Sequence, residues 1–405
     1  MATKSGSFVF TIALGALTAL PPLSIDMSLP AIPAIEATFT GAQGRGPLTL
    51  SLFLLGFALT PLFCGAVSDR FGRRPTMLAG LALFTLAAAG CSLAATFTAL
   101  LGFRLLQGIG AGTCVIMPMA IVRDLFRGSE SQGKFAQIMA VMGLAPLLAP
   151  ILGGWVMAVS HWRSIYAVQA FVGVLILAWV AFGFEESLPV PQRRSLKPAE
   201  LLAGYGLVLS NRAFRHFTLV FSLGFACIFA YISGSAAVLM GVLGLKEQAF
   251  SLAFALSSSG MLLGSFANAR LSKGNVPSNR ILGAGLALMG LAATFVLVLA
   301  LSGHVHALIL SLAVTLVFFG FALIAPCAMH SALEPLPQVA GMASGITNGL
   351  QFAMGSAVSA LIAGFLPFGH PAIVMSSVMV GCALIATAIF IAQMAFGPAI
   401  LAAEG

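Results

Sequence analysis

The sequence predicts an all-α membrane protein of twelve transmembrane helices in two six-helix bundles. Three observations lead there. Of the 405 residues 60% are hydrophobic and 7% charged, with a mean hydropathy of +1.06. A soluble domain carries about 25% charged residues, so lipid is the solvent for most of this chain. Apolar runs of about 20 residues, the length that crosses a bilayer as a helix, recur along the sequence. A polar, proline-containing stretch then divides these runs into two sets of six.

The first run, 8–33, follows Lys4 and continues well past the length of a signal-peptide core without a cleavage site, so it reads as an uncleaved membrane helix. The next five are 47–67, 76–97, 99–122, 135–159 and 164–183. Charges or Gly/Pro/Asn/Ser clusters end each one. "EESLPVPQRRSLKPAELLAGYGLVLSNRAFR" is the longest polar stretch, and within it "PAELLAGYGLVL" is expected to form a short helix along the membrane surface. The second set runs 214–240, 249–269, 280–302, 306–329, 340–366 and 371–396, with few charges marking the 306–329 span. The expected organisation is a bundle over 1–188, a cytoplasmic linker over 189–213 and a second bundle over 214–405.

With the N-terminus inside, fifteen of the nineteen Lys and Arg residues fall in cytoplasmic segments, three (Arg45, Arg163, Lys246) fall outside, and Arg104 lies within a helix. Basic loops on one face set orientation. They place both termini in the cytoplasm and account for the net charge of +8 without any nucleic acid. The six cysteines sit in or beside apolar runs with no C-x-x-C, and read as small core residues. The sequence holds no H-E-x-x-H, G-x-S-x-G or G-x-x-x-x-G-K-[ST], and His304 and His306 share a loop without further ligands. No cofactor, metal site or enzymatic activity is expected.

A faint repeat relates the halves. Gly65 with Asp69 and Arg70 after the second run is matched 199 residues later by Gly264 with Asn268 and Arg270 after the eighth. Duplicated bundles are common in secondary transporters. The loop "GAVSDRFGRRP" is the strongest local signal. Gly65 would allow close helix approach, Asp69 is the one acid among Arg70, Arg73 and Arg74, and Gly72 permits a tight turn. A charged clasp of this kind can hold one packing of the halves and release it in another.

This loop resembles the G-x-L-a-D-R-x-G-R-[RK]-P signature of the major facilitator superfamily, with Val67 where Leu is commonest. "RLLQGIGAG" (104–112) is similar to the family's fourth-helix motif, and "APLLAPILGG" (145–154) to its fifth-helix antiporter motif, keeping Pro150, Gly153 and Gly154 but with Ala145 and Ala149 for two glycines. "DMSLPAIP", from Asp26, resembles a stretch of the twelve-helix drug:proton antiporters of the bicyclomycin and chloramphenicol resistance branch. The resemblance implies a monomeric exporter in the bacterial inner membrane, with a central cavity lined by the first and fourth helices.

Asp26 lies roughly 13 Å from the outer end of its helix and Arg104 roughly 8–12 Å from the same side. An acid at membrane depth is a functional candidate. One reading makes Asp26 the proton carrier, with Arg104 favouring its charged form and prolines 21, 22, 30 and 33 letting the helix bend. The other ends the helix near Leu23 and leaves Asp26 at the interface. Gln107, one turn from Arg104, is expected on the same side of the cavity; Asn348 and Gln351 share a helix face that either lines the cavity or bonds to a neighbouring helix; and Tyr231 with Phe225 and Phe229 is expected to form an aromatic wall for a drug. The expected activity is proton-coupled export of small amphipathic compounds. Proton-coupled movement of a sugar or amino acid is the alternative within transport, and a membrane enzyme is the alternative outside it.

Overall fold

A computed structural model describes residues 8–189, 191 and 198–401. Lys4 and part of the expected linker, 190 and 192–197, lie outside the described residues. The described chain is helical throughout its ordered elements and holds 12 helical spans long and apolar enough to cross a membrane. Contacts divide the chain into two compact units, Met1–Lys197 and Pro198–Gly405.

In the first unit the opening span is broken. Helix α1 (Phe8–Asp26) is followed by a 3₁₀ turn (Leu29–Ala31) and α2 (Ile32–Thr38). Pro21 and Pro22 sit inside α1, which runs through them and reaches Asp26, three residues beyond the early end that one reading of the sequence allowed. The break comes where Pro30 and Pro33 supply no N–H to a preceding helical carbonyl. Then follow α3 (Leu48–Phe71), α4 (Arg73–Leu93), α5 (Phe97–Leu125), α6 (Gly128–Val159) and α7 (Trp162–Gly183). Gly72 alone separates α3 from α4. Its φ of 105° is the left-handed geometry that favours glycine, and it turns the chain within one residue.

The second unit opens with a 13-residue helix, α8 (Pro198–Ser210). Six longer elements follow: α9 (Arg212–Ala236, continued by a π turn to Val242), α10 (Glu247–Lys273), α11 (Ser278–Leu301), α12 (Ala307–Leu333), α13 (Ala340–Phe365) and α14 (Pro371–Leu401).

Packing repeats between the units. In the first, the second and third spans (α3, α4) pack on the fourth (α5), the third on the sixth (α7), and the first (α1) on the fifth (α6). The corresponding pairs α10–α12, α11–α12, α11–α14 and α9–α13 recur in the second. The faint sequence repeat therefore has a counterpart in helix order. Its residues diverge in use. Asn268 is buried and donates from Nδ2 to the Leu323 carbonyl at 2.9 Å, whereas Asp69 is part-exposed and ion-paired.

The aromatic core of the first unit gathers where α2 meets α7. Phe39, Trp162 and Tyr166 pack with Met27, Leu100 and Ala149, and Trp162 Nε1 donates to Thr38 Oγ1 at 2.9 Å. All six cysteines are buried and free.

Candidate functional site

Asp26 is the last residue of α1, at the break, and is 5% exposed. The local backbone is held by Ser28, whose hydroxyl donates to the Ile25 carbonyl at 2.7 Å, and by Met27 N–H donating to Leu23 O at 3.1 Å. Among the described residues the Asp26 carboxylate makes no hydrogen bond or ion pair. An ionised carboxylate in the middle of a membrane helix costs about 2.5–3.5 kcal/mol on insertion scales. That cost is not offset here by a neighbouring cation.

Arg104 does not fill that role, which corrects the expectation that it sets the charge of Asp26. Its side chain is fully buried on α5; Nε and Nη1 donate to other groups, and Nη2 has no hydrogen-bond partner among the described residues. Nε donates to Thr49 O on α3 at 3.1 Å. Nη1 donates to Gln107 Oε1 at 2.7 Å and reaches Ser24 O on α1 at 3.4 Å. The guanidinium lies 4.4 Å from the Phe53 ring centroid and 5.6 Å from that of Tyr166. The planar guanidinium, with donors along its edge and a face that stacks on rings, here reaches carbonyls on two other helices and two aromatic rings at once. Arg104 thus ties α1, α3 and α5 together just behind the break.

Gln107 extends this chain, donating from Nε2 to Gln169 Oε1 on α7 at 2.8 Å. The sequence reading missed Gln169. A lone Gln in an apolar run carries no spacing signal, and only the α5–α7 neighbourhood makes it Gln107's partner.

The fifth-helix motif reaches the same place. Gly153 on α6 faces the Met27 carbonyl, and a Cβ there would lie 2.2 Å from that oxygen. The glycine is what allows α6 to seat against the break one residue past Asp26. Gly154 and Pro150 are also buried, and α6 continues through Pro150.

The charged loop forms a network at the opposite end of the first unit. Arg73 Nη1 donates to Asp69 Oδ1 at 2.6 Å and to Ser68 Oγ at 2.5 Å, while Nε donates to Asp124 Oδ2 at 2.9 Å. Asp124 is part of this clasp, and Ser187 Oγ also donates to it at 3.3 Å. Glu186 accepts from the Arg73 and Arg74 backbone N–H groups at 2.9 and 3.2 Å, capping α4, whose N-cap Gly72 offers no side chain. Arg74 Nη2 donates to Ala181 O at 2.6 Å. Arg70 is exposed and lies over Phe71. Two corrections follow. Gly65 does not bring helices together, since a Cβ there would meet nothing within 4 Å. The partners of Asp69, Arg73 and Arg74 all belong to the first unit. Glu186 escaped the sequence reading, although an acid just after the sixth span and on the same membrane face was a usable signal.

Tyr231 leaves the set of expected cavity residues. It is fully buried inside the second unit, its ring 5.7 Å from Phe254 and 6.1 Å from Phe318, and its hydroxyl shares a 3.0 Å hydrogen bond with Ser257 Oγ. Phe225 and Phe229 do pair, at 4.5 Å, with Phe352 of α13 edge-on to Phe225 at 5.2 Å. Beside Phe352, Gln351 is buried and Asn348 half-buried.

A family model described as Major Facilitator Superfamily matches residues 14–360. The bicyclomycin resistance protein homolog of Haemophilus influenzae is 30% identical over 368 residues, covering 90% of this chain and 91% of its own. The multidrug resistance protein MdtL of Escherichia coli is 31% identical over 360 residues, 89% of each chain. The MFS-type transporter YdgK of Bacillus subtilis is 30% identical over 352 residues, 86% of this chain and 87% of its own. Among solved structures, a D-xylose–proton symporter aligns with a TM-score of 0.71 at 15% identity, over 94% of this chain and 97% of that one. A POT family transporter aligns with a TM-score of 0.73 at 15% identity, over 98% and 99%. At such identities these structures speak to fold alone. Twelve spans, the repeated packing order, the three helix motifs and these relatives agree: the chain is a membrane transporter protein of the Major Facilitator Superfamily.

Proposed function

We propose that this protein exports drugs or other small amphipathic compounds across the bacterial inner membrane in exchange for protons. It works as a monomer with both termini in the cytoplasm, and residues 1–188 and 214–405 rock about the linker 189–213 to expose a central site alternately. The observation that carries the reading is Asp26: a carboxylate 5% exposed, at a helix break within a membrane span, with no counter-charge among the described residues. A carboxyl group so placed exchanges a proton only when water reaches it. A change of hydration between two states therefore moves a proton. Arg104 and Gln107 hold the backbone behind Asp26, and Asn348 and Gln351 offer polar contacts to substrate. The Asp69–Arg73–Asp124 clasp keeps the cytoplasmic ends of α3, α4 and α5 together, so that the first unit moves as one body. The resistance proteins among the relatives support drugs as the substrate class.

Inverted membrane vesicles from a pump-deleted strain, supplied with a drug panel and an internal pH dye, test this. Asp26→Asn is expected to abolish drug-dependent proton efflux while leaving protein levels unchanged. Wild-type drug–proton exchange in Asp26→Asn vesicles would refute the role given to Asp26.

A further inference from the structure

Helix α8 is 13 residues long, about 20 Å, too short to cross a bilayer. One side of it is accounted for. Gly204 and Val208, a turn apart, are buried, and Gly204 packs against Met342 of α13. The opposite side is not covered by any of the described residues. Leu202, Leu207 and Leu209 are 69%, 54% and 49% exposed, alongside Ala203 and Gly206. No charged residue occurs from 201 to 211, and the exposed hydroxyl of Ser210 is satisfied by the Leu207 carbonyl at 2.8 Å, so little on this arc favours water over hydrocarbon.

A second, independent feature lies next to it. Arg212 and Arg215 open α9, at the start of the seventh membrane span. Among the described residues neither guanidinium has an ion pair or hydrogen-bond acceptor. The seventh span fixes the depth of this corner at the membrane boundary, where an apolar arc can enter the acyl region while adjacent cations remain among headgroups. A water-soluble partner protein would satisfy the leucines, but would leave the two arginines at membrane depth without anions.

We propose that α8 lies in the membrane–water interface and that Arg212 and Arg215 bind anionic phospholipid headgroups there. The site takes a phosphate-bearing lipid of net negative charge. The leucine arc supplies depth and the arginines supply charge selection.

Two measurements on the full-length protein in nanodiscs test this. Because the native cysteines are all buried, a spin label on Leu202→Cys or Leu209→Cys reports the free arc selectively. Collision accessibility should favour oxygen over a water-soluble nickel reagent. Competition between phosphatidylglycerol and phosphatidylcholine, read by native mass spectrometry, should show preferential retention of phosphatidylglycerol. The preference should fall on the order of tenfold in Arg212→Gln/Arg215→Gln, and the spin-label signature in that variant confirms that α8 remains docked. Labels that report water in bilayers of either composition would overturn the interfacial placement. Equal retention of the two lipids by the wild type would overturn the headgroup site, as would an unchanged preference in the double variant.

Discussion

Replacing Gly153 by alanine should damage the protein far more than the same change at Gly133 of the same helix. The Cβ would lie 2.2 Å from the Met27 carbonyl oxygen, 3.0 Å from its carbon and 3.1 Å from its Cα. All three are backbone atoms, so no side chain can rotate away. An ordinary carbon–oxygen contact is about 3.4 Å, so the helices must separate by about 1 Å. Overpacking of that kind costs about 1–3 kcal/mol. The strain falls on the turn that holds Asp26, so coupling should suffer beyond the loss of stability. Gly133 is the internal control, since it lies on the same helix and a Cβ there meets nothing within 4 Å. Purified Gly153→Ala and Gly133→Ala proteins would be compared by thermal unfolding in detergent and by drug-driven proton movement in vesicles. The first should melt several degrees lower with reduced exchange, and the second should match wild type. Equal melting of Gly153→Ala and Gly133→Ala would refute the claim that glycine is needed for α6 to seat on the break.

Three further outcomes follow from the geometry. Arg104→Lys should not rescue Arg104→Gln in thermal stability, because a single ammonium cannot serve Thr49 O, Ser24 O and Gln107 Oε1 together; each lost buried bond costs about 1–3 kcal/mol. Glu186→Ala should speed hydrogen exchange at the Arg73 and Arg74 amides, with a stability loss of about 1 kcal/mol, while Glu185→Ala, at an exposed position, should leave those amides unchanged. Tyr231→Phe keeps the ring packing and loses one bond to Ser257, so a stability loss of about 1 kcal/mol with an unaltered drug profile is expected; a changed profile would return Tyr231 to the substrate site.

The residues that carry this protein's motifs were legible early because each has a backbone or charge requirement that little else can meet. Gly72 must turn the chain at positive φ, and Gly153 must leave room for a carbonyl. Other assignments depended on which helix stood opposite. The partners of Arg104 are two backbone carbonyls and the Gln107 amide oxygen, and neutral acceptors are invisible to a search for opposite charge. Tyr231 looked like a cavity residue because aromatic spacing along one helix does not say whether the face meets a void or the rings of Phe254 and Phe318.

Taken alone, the amino-acid order determined the solvent, the number of spans and the family. These follow from hydropathy summed over about 20 residues and from glycine, proline and charge at fixed spacing, which are local quantities. Tertiary structure decided the pairings: Arg104 with Gln107 and Gln169, Arg73 with Asp124, Glu186 with the start of α4, and Asp26 with no charged neighbour among the described residues. The reason is physical. In a bilayer every helix is apolar enough to be stable by itself, so the choice of neighbour rests on a few buried polar contacts and close backbone approaches. Their geometry exists only once the helices have packed.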